Sequence, residues 1–255
     1  MNEHTTWLDL LPGYHNLEEF FRQYLGRRWH NSAFPPQEHF SMTHVFFALL
    51  VGIVLLVCAW RYRRWAQQPE AITPSEKLQL PTLIHLLLEI LHRYMAEVVG
   101  DEKQVRLYFP LGAGIFLYIM LSDLIGIIPG VEPPTSHMQM NLAIACTVFL
   151  ATHYFGIREL GWGYVKQFTG NVWYLAPLML PLEIVSHLVR PLSLTVRLLG
   201  NMFADHKVIA IFTFLFPLII PIPFLFLGFL VSLIQALVFM TLSIIYFSLA
   251  TSHEH

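Results

Sequence analysis

Charge is scarce in this sequence. Asp, Glu, Lys and Arg make up 13% of the 255 residues and hydrophobic residues 55%, whereas a soluble domain carries roughly 25% charged residues. From Val208 to Ser252 there is no Asp, Glu, Lys, Arg or His, a run well beyond the ~20 residues that cross a bilayer once. A soluble globular enzyme is excluded, and an integral membrane protein in a lipid bilayer is the class that remains. Cysteine is also sparse: Cys58 and Cys146 both lie in apolar runs, which reads as two buried small side chains rather than a disulfide or a metal pair. There is no Gly-rich phosphate loop and no H-E-x-x-H, so no nucleotide, nucleic acid, metal or other cofactor is expected. His253 and His255 flank Glu254 at the C-terminal tail, where a chelating role is not expected. The N-terminal stretch MNEHTTWLDLLPGYHNLEEF lacks a basic leader ahead of an apolar core, so no cleavable signal is expected.

What is present is a series of apolar runs with informative flanks. Residues 1–41 are mixed, aromatic and mildly acidic, and are expected outside the hydrocarbon, with AFPPQEHF as a linker. MTHVFFALLVGIVLLVCAW, 42–60, is the first expected crossing. Arg61, Arg63 and Arg64 follow it, while Asn31 to Thr43 contains no Lys or Arg. Basic residues stay on the cytoplasmic side, which puts the N-terminus outside. The inner loop 61–106 contains LPTLIHLLLEILHRYMAEVVG, 80–100, where leucines at helical spacing alternate with His85, Glu89, His92, Arg93 and Glu97. That pattern suits an amphipathic helix in the inner interface.

Residues 107–157 hold the second and third crossings, 107–128 and 140–157, joined by the proline-rich PGVEPPTSH. Lys103 and Arg106 precede them and Arg158 and Lys166 follow, so both agree with the first orientation. After an inner loop, 158–171, the tract 172–250 contains two long helices. One from Val172 to Phe216 would be roughly 65 Å long against a hydrocarbon core of ~30 Å. It is expected to be strongly tilted, or broken at Pro177, Pro181 or Pro191. The other, 224–250, follows a turn containing Pro217, Pro221 and Pro223, and 251–255 form a cytoplasmic tail. The fold class is therefore an all-α integral membrane protein: about five transmembrane helices plus an interfacial amphipathic helix, the last two membrane helices long and tilted.

The polar residues of the long tract fall at helical intervals. Arg197, Asn201 and Asp205 are four apart, and Arg190 and Glu183 precede Arg197 at steps of seven, so with His187 they share one side, opposite Leu188, Leu192, Leu199 and Met202. A charge at mid-membrane costs at least ~2.5 kcal/mol and nearly always faces a cavity or a partner. Local pairing of Arg190 with Glu183 and of Lys207 with Asp205 would explain the flanking cations. It would not explain Arg197, which has no carboxylate three or four residues away and cannot lose its charge.

These residues carry a family resemblance. SLTVRLLGNMFADH resembles the signature of subunit a of the rotary F-type ATP synthase, and the likeness extends to PLEIVSHLVRPLSL, to IQALVFMTLSIIYFSLA and to SDLIGIIPGVEPPT. It spans most of residues 107–250; the earlier part matches only in layout. The resemblance implies a stator subunit of the membrane sector of a proton-translocating ATP synthase, itself neither nucleotide-binding nor catalytic. Its partners would be a ring of c subunits, the b subunits of the peripheral stalk and the rest of the synthase. The setting would be the bacterial inner membrane, with the C-terminus cytoplasmic. Two proton half-channels would meet at Arg197, matching the essential arginine, and couple proton flow to rotation and ATP synthesis or hydrolysis. Asn201 and Gln235 match polar positions of the outer path, His206 an ionisable position, and Glu183 and Ser193 polar positions of the same helix. Asp123 and Glu132 would help form the outer entrance. Where several relatives have His or Glu, this chain has Gly228, so the outer path would rely on Asp205 and His206. Gln235 could alternatively be a packing residue, and Ser243 and Tyr246 read as packing residues. A stand-alone secondary transporter or ion channel, with Arg197 as an anion site, is the alternative; the absence of an inverted repeat weighs against it.

Overall fold

The structure is a computed structural model that describes residues 43–67, 80–128, 131, 133–161, 163–164, 176–215 and 221–251. The expected N-terminal segment 1–41, Glu132, much of the loop 158–171 and residues 252–255 lie outside the described residues. Within them run α1 (Thr43–Ala66), α2 (Leu80–Val99), α3 (Glu102–Ile125), a 3₁₀ turn (Pro134–Ser136), α4 (Met138–Leu160), α5 (Ala176–Leu215) and α6 (Pro221–Thr251). This is the all-α membrane fold expected: α1, α3, α4 and most of α6 are long and apolar enough to cross a bilayer. The fifth long helix, α5, has 40 residues and is about 60 Å long.

Helices outrun the apolar segments that generate them. α1 continues past Trp60 through its arginines to Ala66, because a hydrogen-bonded ladder does not end where the hydrocarbon does and Arg is a good helix former. α3 starts at Glu102, where the Asp101 side chain caps the helix by accepting from the Lys103 N–H at 3.0 Å. α4 ends at Gly161, whose φ of +55° is a conformation that favours glycine.

The prolines act differently from one expectation. α5 passes through Pro181 and Pro191 without a break, so within the described residues 176–215 the broken alternative does not occur. Each proline removes one ladder bond, and near Pro191 the Thr195 hydroxyl donates to the Pro191 carbonyl at 2.8 Å. α6 begins at Pro221 and includes Pro223 rather than starting after both. A first-turn N–H has no intrahelical partner to lose, which makes proline acceptable there.

The core lies where α3, α4 and α6 meet, and α3 packs most extensively on α6. Tyr108, Phe155 and Phe247 form a ring cluster with centroids 5.1 to 5.6 Å apart, and the Tyr108 hydroxyl bonds Thr251 Oγ1 at 2.7 Å. α2 buries Leu91 and Met95 against α3 and α6, and Tyr94 bonds Thr241 at 2.9 Å. Tyr62 of α1 reaches His85 of α2 at 3.0 Å.

Large apolar side chains such as Leu49, Ile53, Leu56, Leu150 and Ile234 are exposed along the helices. A water-facing surface would not tolerate this, and a lipid-facing one requires it. The same reasoning corrects the cysteine reading. Both are free, but Cys146 is exposed and Cys58 only partly covered, because an apolar run in a membrane protein faces lipid as readily as core.

Candidate functional site

The polar residues gather at three levels along α5. At the middle level, the Asn201 side-chain amide donates to Gln235 Oε1 on α6 at 2.6 Å. Gln235 is buried, and its Nε2 has no hydrogen-bond partner among the described residues. Buried donors are nearly always satisfied, so this atom marks a place for water or for another polar group. One helical turn away, Arg197 is exposed on the surface of α5. Among the described residues no carboxylate pairs with it.

The buried face of α5 does not coincide with its apolar side. Leu194, Thr195, Leu198 and Met202 are buried, whereas Leu188 and Leu192, expected with Met202 on the apolar side, are exposed. Arg197 lies on the exposed surface with Ser193, Val196 and Gly200. In water, apolarity identifies the inward face; in lipid it does not, so the apolar side of this helix is not its packed side.

At one end of the bundle, Asp123 near the end of α3 is 2% exposed and accepts from the Thr135 hydroxyl at 2.6 Å. Asn141 is fully buried and its amide donates to the Thr135 carbonyl at 2.7 Å. The 3₁₀ turn that carries Thr135 packs on α5, and Asp205 of α5 lies within electrostatic reach of Asp123. Asp123 and Asp205, predicted separately, thus lie toward the same end of the bundle. The His206 side chain and Glu132 are outside the described residues. Gly228 faces Ile209 of α5, the nearest described side chain to the place that glycine leaves.

At the opposite end of α4, His187 pairs with Glu183 at 3.3 Å and stacks on His153, with ring centroids 5.4 Å apart. His153 Nδ1 and the Tyr164 hydroxyl are 2.6 Å apart. Arg190 lies over the Tyr246 ring at 5.2 Å. Glu183 therefore pairs with the histidine one turn along, and Arg190 turns to an aromatic ring on α6, instead of the two pairing with each other. A pocket of about 240 Å³, counted to its open mouth, lies beside them and is lined by Thr152, His187, Arg190 and Tyr246. Ser243 matches its packing assignment, donating to the Phe239 carbonyl of its own helix at 2.8 Å.

Sequence reasoning missed Thr135, Asn141, His153 and Tyr164. His153 could have been found, since an ionisable side chain inside the third apolar run is a functional signal by itself. Thr135 and Asn141 border a loop and give no such signal. No group of His, Cys, Asp and Glu suited to a metal is found among the described residues.

The link between α5 and α6 allows a direct check. Replacing either Asn201 or Gln235 by leucine should destabilise the chain, and the double replacement should cost less than the two single ones combined. The expected coupling is about 1 kcal/mol, the value of one hydrogen bond, measured by thermal denaturation of the purified complexes. Strict additivity would mean that the two amides do not interact.

The geometry can be set beside known proteins. The family profile described as ATP synthase A chain matches residues 42–248. The "ATP synthase subunit a 2" of Syntrophotalea carbinolica is 40% identical over 218 residues, covering 86% of this chain and 87% of that protein. The "ATP synthase subunit a" of Sorangium cellulosum is 38% identical over 208 residues, 81% of each. That of Geobacter sulfurreducens is 42% identical over 180 residues, 69% of this chain and 78% of the relative. With an all-α membrane fold and a profile match across nearly all its described helices, the chain belongs to the ATP synthase subunit a family.

Proposed function

We propose that this chain is the stator subunit of the membrane sector of a rotary ATP synthase, coupling proton flow to rotation of a ring of c subunits. The observation that carries this reading is Arg197: a permanent cation on an exposed surface of a membrane helix, with no ion-pair partner among the described residues. A charge so placed in a membrane faces a water-filled cavity or a partner. A carboxylate on each passing ring subunit is that partner. Near the guanidinium such a carboxylate is held ionised, so it gives up its proton there and can move on into lipid only after it is reprotonated.

Two polar routes to Arg197 complete the cycle. Asp123, Asp205, His206 and the Asn201–Gln235 pair form the route from outside, with Glu132 at its entrance. Glu183, reached from the opposite end of the bundle, serves the inner route. The cation at their junction repels protons that would otherwise cross directly, which forces flow through the ring. The basic flank of α1 supports an outside N-terminus and a cytoplasmic C-terminus, with α2 in the inner interface and the bacterial inner membrane as the setting. The b subunits of the peripheral stalk hold the chain against the turning ring.

Purification in mild detergent tests the assembly. The tagged chain should co-purify with a ring of small hairpin subunits and with the ATP-hydrolysing sector. A chain that purifies alone and moves an anion across reconstituted vesicles would instead be a stand-alone transporter.

A further inference from the structure

One polar cluster has no role in the cycle as described. His153, His187 and Tyr164 form, with Glu183, a file across three segments: Tyr164 hydroxyl to His153 Nδ1 at 2.6 Å, His153 stacked on His187 at 5.4 Å between centroids, and His187 Nε2 to Glu183 Oε1 at 3.3 Å. Four groups able to exchange protons or hydrogen bonds are thus consecutive neighbours, separate from the Asp123 and Asn201–Gln235 clusters. The file begins at the segment after α4 and ends one turn from the pocket bounded by Arg190 and Tyr246.

The file is built as well as near. Tyr164 is 5% exposed, and its ring lies directly on Gly156 of α4. Any Cβ at that position would overlap the ring carbons, so the missing side chain is what lets the hydroxyl reach His153, one turn back. Phe149 packs edge-on against the His153 ring with centroids 4.3 Å apart, fixing it from the other side. Beside His187 an open recess bordered by Thr152, Arg190 and Tyr246 and by apolar side chains offers polar partners for a single water.

We infer that Tyr164, His153 and His187 are the mouth of the inner half-channel, passing protons between the cytoplasmic surface and Glu183. This rests on the reading given above. Each imidazole takes a proton at one ring nitrogen and releases the one carried on the other, so one proton is transferred and the ring is neutral again at that release; a ring flip or tautomer exchange then readies it for the next proton. The stacked faces of His153 and His187 share no hydrogen bond, so transfer between them runs through a bridging water or a ring rotation that brings nitrogen to nitrogen, while His187 meets Glu183 directly. Among the described residues, the titratable and charged groups around the two histidines include Glu183 and Arg190 from α5, Tyr164 from the connecting segment and Tyr246 from α6. Arg190 opposes an excess positive charge on the pair, and Glu183 stabilises one.

The test uses vesicles containing the assembled complex stripped of its ATP-hydrolysing sector, with passive proton conductance measured while pH on the cytoplasmic side is varied from about 5 to 8, the range over which histidine titrates. His153→Gln and His187→Gln keep hydrogen bonding but not proton exchange, and each should lower conductance at least about tenfold and flatten the pH profile. Tyr164→Phe and Gly156→Ala should give a smaller loss of the same kind, because both break the Tyr164–His153 contact. Arg197→Ala is measured alongside for ATP-driven pumping in the intact complex. If the glutamine variants conduct normally with an unchanged profile while Arg197→Ala abolishes pumping, the inference is wrong and the half-channel reading stands. If only His→Leu variants lose conductance and His→Gln variants do not, the histidines are structural and the inference is again overturned. If Arg197→Ala pumps normally, the underlying reading fails.

Discussion

Arg197→Ala should abolish ATP-driven proton pumping in a complex that still assembles. A neighbouring guanidinium lowers a carboxylate pKa by about one to three units. Its loss raises the occupancy of the protonated, non-releasing form by a factor of up to about a thousand, and pumping should fall at least about 100-fold. Arg197→Lys keeps a charge but not the planar, weakly hydrated head, and should recover only part of the activity. Arg93→Ala is the control. Arg93 forms an exposed i,i+4 pair with Glu89 at 3.0 Å, and exposed pairs contribute little, so pumping should stay within about twofold of the unsubstituted complex. Acidification of vesicles, followed with a pH-sensitive dye, reads all three. Equal losses for Arg93→Ala and Arg197→Ala would mean that the assay reports basic charge in general and not a gate.

Phe247→Ala should produce the largest loss of stability and act through a different property. Phe247 is fully buried between Tyr108 and Phe155, and truncation of a buried Phe costs about 3 kcal/mol or more. In a bilayer the transfer part of that cost shrinks, since lipid is as apolar as the core. The cavity and the lost ring contacts remain, and the Tyr108–Thr251 hydrogen bond at 2.7 Å loses its packing support. The purified complex should lose subunit a at a temperature several degrees lower, while the fraction still assembled pumps with the usual coupling. Phe226→Ala should have no such effect, because Phe226 is 64% exposed on α6. Loss of coupling in the assembled Phe247→Ala complex would contradict the separation of core from gate.

How much of this was legible in the sequence depended on which physical signal each residue gives. Helix existence was clear for α1, α3, α4 and α6 because length and apolarity suffice to specify a membrane helix. Ends were less clear: α1 runs on through Arg63 and Arg64, and α6 takes in Pro221 and Pro223, since the hydrocarbon edge sets no limit on helix propagation. Which face of α5 packs inward was not legible, because the environment on both sides of a membrane helix is apolar: Leu188 and Leu192 are exposed and Met202 is buried. Arg197, Asn201 and Gln235 were legible through their motif, and Asn201 does bond Gln235, an interhelical contact that the sequence could not supply. The Asp123 and His153 clusters join segments far apart in the chain, Asp123 with Thr135 and Asp205, His153 with Tyr164 and His187. Such proximities depend on how the helices cross, which periodicity within one helix does not encode.

The central claim is that the exposed face of α5 meets a carboxylate of another subunit at Arg197. A structure of the assembled complex measures this directly, as the distance from the Arg197 guanidinium to the nearest carboxyl oxygen of a ring subunit. The account predicts that in at least one rotational state this distance is about 4 to 6 Å, the range over which opposite charges bias ionisation. A ring docked against another face, leaving Arg197 paired within its own chain or facing only lipid, would contradict it.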